Sequence, residues 1–82
     1  MGPRAPLLRE LEAVCPHLDI TLRYEKTSAK GGLCKVDDSY FIIIDRKASE
    51  GYKIHVIGKA LKQFDLSNIH LKPKLREFLD DI

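Results

Sequence analysis

The chain reads as α+β: a three-stranded antiparallel sheet packed by two or three helices, in the order α-β-β-β-α-α. Three observations predict this class. At 82 residues the chain is long enough for a single core and too short for two, so residues 1–82 are read as one domain. Apolar residues recur at helical spacing near both ends and alternate with a period of two in the middle. A cluster of turn residues, Asp37-Asp38-Ser39, then separates two strand-like runs.

Met1–Ala5 is read as a loose end, because Gly2 and Pro3 oppose regular structure. Pro6 suits a first helical position, and Leu7, Leu8, Leu11, Val14 and Cys15 follow at helical spacing. Arg9, Glu10 and Glu12 take the other side, and Pro16 ends the helix. Asp19–Glu25 alternates, with Ile20, Leu22 and Tyr24 on one face and Thr21, Arg23 and Glu25 on the other, the pattern of a half-buried strand. Lys26–Lys30 is polar and reads as a loop. Gly31-Gly32 then supplies a bend at the start of an interior strand, Leu33–Val36. There Cys34 and Val36 share one face and Leu33 and Lys35 the other.

After the turn, Tyr40–Ile44 is continuously apolar, which predicts the central strand, covered on both faces. One face carries Phe41 and Ile43, and the first or last helix is expected to cover it. Ser49 is a natural N-cap for a helix from Glu50 to about Phe64. Ile54, Ile57, Leu61 and Phe64 form one stripe of that helix, and Tyr52, Val56 and Ala60 form a second. Such a wide apolar face predicts contact with the sheet and with another helix, and Gly58 and Ala60 permit a close approach. Leu66, Ile69 and Leu71 suggest a short extended segment. Pro73 then opens a last helix carrying Leu75, Phe78, Leu79 and Ile82.

Composition excludes several classes. With 44% hydrophobic and 32% charged residues, the chain is too apolar for intrinsic disorder and too charged for a membrane span. Its longest apolar run, Tyr40–Ile44, falls far short of the roughly 18 residues a spanning helix needs. Leu7-Leu8 between Arg4 and Arg9 is no secretory core, so the expected location is the cytoplasm, with Cys15 and Cys34 as free thiols. Net charge is only +2 and the isoelectric point 8.6, short of the value above ~9 typical of dedicated duplex binders. The bases are nonetheless uneven: Arg46, Lys47, Lys53, Lys59 and Lys62 face Glu50 alone across that stretch.

No catalytic or metal constellation emerges. Cys15-Pro16-His17 lacks the paired knuckle spacing of structural zinc sites. Cys34 beside Val36 reads as a buried small hydrophobe. A thiol or metal centre built from Cys34 with His17 or His55 is the alternative reading, but His55 falls on the polar side of its helix, turned from the sheet. Gly31-Gly32 leads into a strand, not the helix N-terminus a phosphate loop requires. The surface feature with most promise is the basic face of Arg46, Lys47, His55, Lys59 and Lys62.

The strings Gly31-Gly32-Leu33-Cys34-Lys35-Val36 and Ile42-Ile43-Ile44-Asp45, with Lys53-Ile54 and Ala60-Leu61, resemble a group of small uncharacterised bacterial cytoplasmic proteins. The tail residues Asp65-Leu66, Ile69, Leu71, Pro73 and Leu75-Arg76-Glu77 resemble them too. This resemblance implies no activity. The hairpin with its Ile-rich strand and long helix is also distantly similar to the scaffold of minimal zinc metallopeptidases. Where their helix carries H-E-x-x-H, this one reads Gly58-Lys59-Ala60-Leu61-Lys62, without ligands or base. The expectation is a non-enzymatic module without cofactor, monomeric or homodimeric. It would bind a protein partner through the basic helix face, with weak nucleic-acid binding as a further alternative and no membrane partner.

Overall fold

The computed structural model describes residues 4–26 and 31–82. The first helix, α1, spans Arg4–Val14 and runs directly into a 3₁₀ turn, Cys15–Leu18. Helix therefore begins ahead of Pro6, and the expected loose end is corrected at Arg4 and Ala5; residues 1–3 lie outside the described part. Pro6 is tolerated because first-turn N–H groups have no intrahelical partner. Pro16 does not stop the chain from coiling; it tightens the coil into the 3₁₀ turn. Asp19 then closes that turn with a left-handed φ of 58°, donating its N–H to the Cys15 and Pro16 carbonyls. Aspartate accepts this conformation more readily than most residues, and the reversal aims the chain into the sheet.

Three strands follow: β1 (Ile20–Glu25), β2 (Gly32–Val36) and β3 (Ser39–Asp45). Their order is β1-β3-β2, so Tyr40–Ile44 is central as its composition predicts. The sheet is mixed, which corrects the antiparallel expectation: β2 pairs antiparallel with β3, whereas β1 pairs parallel with it. The β2–β3 hairpin closes through Asp37-Asp38, with Asp37 at φ 55°. β1 and β2 occupy opposite flanks of β3, so the β1–β2 connection joins the two edges of the sheet, and at the end of β1 the Arg46 N–H meets the Glu25 carbonyl at 2.9 Å. Gly31 ends that connection at φ 84°, and a Cβ there would lie 2.3 Å from the Ile43 carbonyl oxygen. The glycine serves this close passage. It leads into an edge strand and not the interior one expected.

Helix α2 (Glu50–Leu61) starts where Ser49 Oγ accepts the Tyr52 N–H at 3.1 Å, and ends before the expected Phe64. Its second stripe turns inward along the helix: Tyr52 is exposed, Val56 half-buried and Ala60 buried. Residues 62–72 form turns and irregular chain with no strand, extended only at Lys72, and Leu71 is buried. Helix α3 (Pro73–Asp81) begins at Pro73 and buries Leu75 and Leu79. It crosses α2 at Gly58, where an added Cβ would lie 2.6 Å from Ile82 Cδ1 and 3.1 Å from Phe78 Cε2. The core joins Leu11, Val14 and Cys15 to Ile20, Ile42 and Ile44 of the sheet, to Ile54, Ile57, Ala60 and Leu61, and to Leu71, Leu75 and Leu79. All its sheet residues come from a single face. The molecule is thus a two-layer slab about 18 Å thick, helices on one side and sheet on the other. No helix among the described residues is long and apolar enough to cross a membrane.

Candidate interaction surface

The pairing register sorts every strand residue to a face. Ile20, Leu22 and Tyr24 lie beside Tyr40, Ile42 and Ile44, with Leu33 and Lys35 completing the helix-facing side. Lys35 takes a helix-facing position at the β2 edge, its ammonium 5.5 Å from the centre of the Tyr40 ring, while Phe64 meets that ring edge-on at 5.0 Å. The outer face presents Phe41 and Ile43 on β3, Cys34 and Val36 on β2, and Thr21, Arg23 and Glu25 on β1. None of the outer apolar residues belongs to the core or packs against it. Val36 is 56% exposed, Cys34 is exposed, and Phe41 and Ile43 are half-buried. The expected helical cover is therefore absent among the described residues, and Cys34 is not the buried hydrophobe its strand neighbours suggest. On this face Val36 is the large apolar side chain that is exposed, with the half-buried Phe41 and Ile43 beside it.

Two of the charged residues on this face pair with each other. Arg23 Nε pairs with Glu25 Oε2 at 2.8 Å along the β1 margin, and Asp45 Oδ1 accepts the Lys47 N–H at the end of β3. The expected basic residues are elsewhere. His55, Lys59 and Lys62 are exposed along α2, and Arg46 and Lys47 are exposed in the turn preceding it. The 12 residues of α2 make a rod about 18 Å long, with Lys59 in its last turn and Lys47 in the turn before its first residue. Lys62 Nζ donates to the Ile82 carbonyl, and Lys53, also on α2, lies 4.9 Å from the Tyr24 ring centre. The five expected residues are exposed but do not converge on a single spot.

The thiol and imidazoles are similarly dispersed. Cys34 is on the outer sheet face, His55 on α2 in the helix layer, and His17 on the 3₁₀ turn, where it lines a groove with His70, Glu10 and Lys72. The sheet itself separates Cys34 from His55. Among the described residues no group of three His, Cys, Asp or Glu side chains is placed to hold a metal ion.

One polar cluster escapes a reading of the sequence. Tyr24 donates its hydroxyl to Glu12 Oε2 across the α1–β1 junction. Burial, then the hydrogen bond to Glu12, raises the Tyr24 pKa well above its ordinary value. Burial, and then the Glu12 charge, pushes the Cys15 thiol up to about 11. Cys15 is thus a buried thiol held in its protonated form. Nothing in the spacing of Glu12, Cys15 and Tyr24 announces their meeting, because they reach it from separate elements. An apolar groove of about 400 Å³ also lies between the helices, lined by Leu7, Gly51, Ile54, His55, Phe78 and Ile82.

Fold and surface together define a two-layer α+β protein with an open mixed sheet. Comparison with protein-family models, curated proteins and solved structures finds no match for this chain.

Proposed function

We propose that the chain is a non-enzymatic protein-interaction module whose binding surface is the uncovered sheet face, in place of the basic side of α2. The observation that carries this reading is the one-sided packing of the helices: Ile42 and Ile44 are fully buried, while Phe41 and Ile43 on the same strand face outward. A central strand apolar on both sides is the pattern of a ribbon sandwiched between two layers, and the described residues supply one layer. The chemistry of the face argues for protein over nucleic acid. Single-strand binders surround their stacking aromatics with free cations, whereas Arg23 is paired with Glu25. The basic residues of α2 lie on the other side of the slab and are spread along its length, a poor match for a compact phosphate-binding patch.

A photo-crosslinking amino acid placed separately at Ile43 and at Lys59, in cells expressing the full chain, tests this. Position 43 is expected to give discrete protein adducts, identified by mass spectrometry, and position 59 none. Adducts from position 59 alone, or nucleic-acid adducts from either position, would overturn the proposal.

A further inference from the structure

A cleft opens where the end of α2, the connection 62–72 and α3 meet. We infer that it is a binding site for a free α-amino acid with an apolar side chain. The site belongs to the helix layer and does not depend on the sheet face binding a protein. Its charges, its floor and its size each point to this class of ligand.

Charges of both signs line the cleft. Arg76 and Asp80 enter it from α3. Four residues apart, they share one face of that helix, with Cβ atoms about 5–6 Å from each other. Neither forms an ion pair, with the other or with any other described residue. Lys62 lines the cleft from the end of α2, its Nζ donating to the Ile82 carbonyl at 2.5 Å. An anion alone would meet the Asp80 carboxylate, and a cation alone would meet Arg76 and Lys62; either juxtaposition is unfavourable. A zwitterion meets neither. An α-amino acid carries its carboxylate and ammonium on one carbon, so it spans a cation and an anion one helical turn apart. Its carboxylate takes the Arg76 guanidinium, and its ammonium takes the Asp80 carboxylate.

The floor between those charges is apolar. Leu71 and Leu79 are buried core residues, and the half-buried Phe64 and Leu66 line the cleft beside them. Two contacts fix that wall. Phe64 packs against the Tyr40 ring, and Asp65 Oδ1 accepts the Ser67 N–H at 3.0 Å, which turns the chain at the rim. A leucine or phenylalanine side chain set on this floor removes apolar surface from water on both partners. Glycine gains nothing from it, and a charged side chain loses hydration there.

Size and exposure set the strength. The cleft holds about 260 Å³, a little under the ~300–1,000 Å³ of sites for drug-sized ligands. It suits a ligand of about a dozen non-hydrogen atoms or fewer, the size of a single amino acid. Arg76 and Asp80 are exposed, so water and salt screen their pairing with the ligand. The apolar side chain then supplies most of the affinity, which falls at roughly 1 mM.

Backbone amide shifts of the full chain, titrated with L-leucine and with L-phenylalanine to about 20 mM, read this directly. Saturable shifts are expected in residues 64–71 and 76–80 and not in β1. N-acetyl-leucine lacks the ammonium, leucinamide lacks the carboxylate and glycine lacks the side chain; each should bind about fivefold more weakly or not at all. Arg76→Gln should weaken leucine about fivefold without weakening leucinamide, and Asp80→Asn should weaken leucine without weakening N-acetyl-leucine. Both replace exposed side chains, and the amide spectrum of each variant shows that it is folded. Lys59→Gln should bind leucine as the wild type does. The inference is overturned by an absence of saturable shifts, by shifts that map outside the cleft, or by N-acetyl-leucine or leucinamide binding as tightly as leucine. Unchanged leucine binding in both Arg76→Gln and Asp80→Asn would overturn it as well.

Discussion

At the scale of single residues, the strongest demands come from backbone, not side chains. Gly31 combines a left-handed φ of 84° with a passage so close that any Cβ would strike the Ile43 carbonyl at 2.3 Å. That oxygen belongs to the central strand, which cannot yield without disturbing both pairings. Gly31→Ala is expected to cost about 3 kcal/mol or more, strain alone accounting for about 1–3. The tight spot at Gly58 is different in kind. The atoms it meets are the tips of Ile82 and Phe78, near the end of α3, and alanine gains about 1 kcal/mol of helix propensity. Gly58→Ala should fall within about 1 kcal/mol of the wild type. Urea denaturation of the two variants checks both values, and equal losses would contradict this account. The Gly31-Gly32 pair is visible in the sequence, but the reason for it is not, since the sequence does not say which carbonyl lies beside it.

At the scale of elements, local signals are clear. The Ser49 cap and the Pro73 start depend on residues within a turn of each, and each is found where its pattern places it; the alternation of β1 is also found, though the strand is completed by distant β3. The two sides of β3 differ in a way the pattern cannot express, because Ile42 and Ile43 are identical in composition and opposite in environment. Ile42 is fully buried beneath the helices, so Ile42→Ala should destabilise by about 2–5 kcal/mol. Ile43 faces outward, and Ile43→Ala should cost about 1 kcal/mol or less at micromolar concentration. Thermal melts of the two variants at the same dilution distinguish them; a comparable loss at both positions would mean that Ile43 is covered.

The parallel pairing of β1 was within reach of the sequence. A central β3 in a hairpin with β2 leaves only its other flank for β1. A connection of six residues returns the chain in the opposite direction, so β1 runs against β2 and therefore along β3. Reading strands one at a time, by alternation alone, hides this, because alternation is identical in parallel and antiparallel pairs.

At the scale of the whole molecule, the junction of α1, the 3₁₀ turn and β1 ties stability to pH. Cys15 titrates at about 11 when folded, against 9.0 in the unfolded chain, and Tyr24 is also raised. Above pH 9 the unfolded state loses protons that the folded state retains, so stability falls as pH rises through the window from 9 to 11. The expected loss is on the order of 1–2 kcal/mol after allowance for solvent screening, or several degrees of melting temperature. Melts at pH 8, 9.5 and 11 should show it, with a shallower slope in Cys15→Ala and in Tyr24→Phe. Slopes that match the wild type in both variants would remove these two groups from the account.

The candidate surface divides along the same line. Sequence alone determined the elements, the central strand and the apolar character of both its faces, because propensity, capping and periodicity act over a few residues. It also identified Phe41 and Ile43 as side chains in need of a cover. Only the tertiary structure decided that every described helix packs on the opposite side, that Cys34 is exposed, and that the bases flanking and lining α2 are dispersed. Those outcomes depend on which face of the sheet the helices choose, a contest between distant surfaces of similar hydrophobicity that no local pattern records.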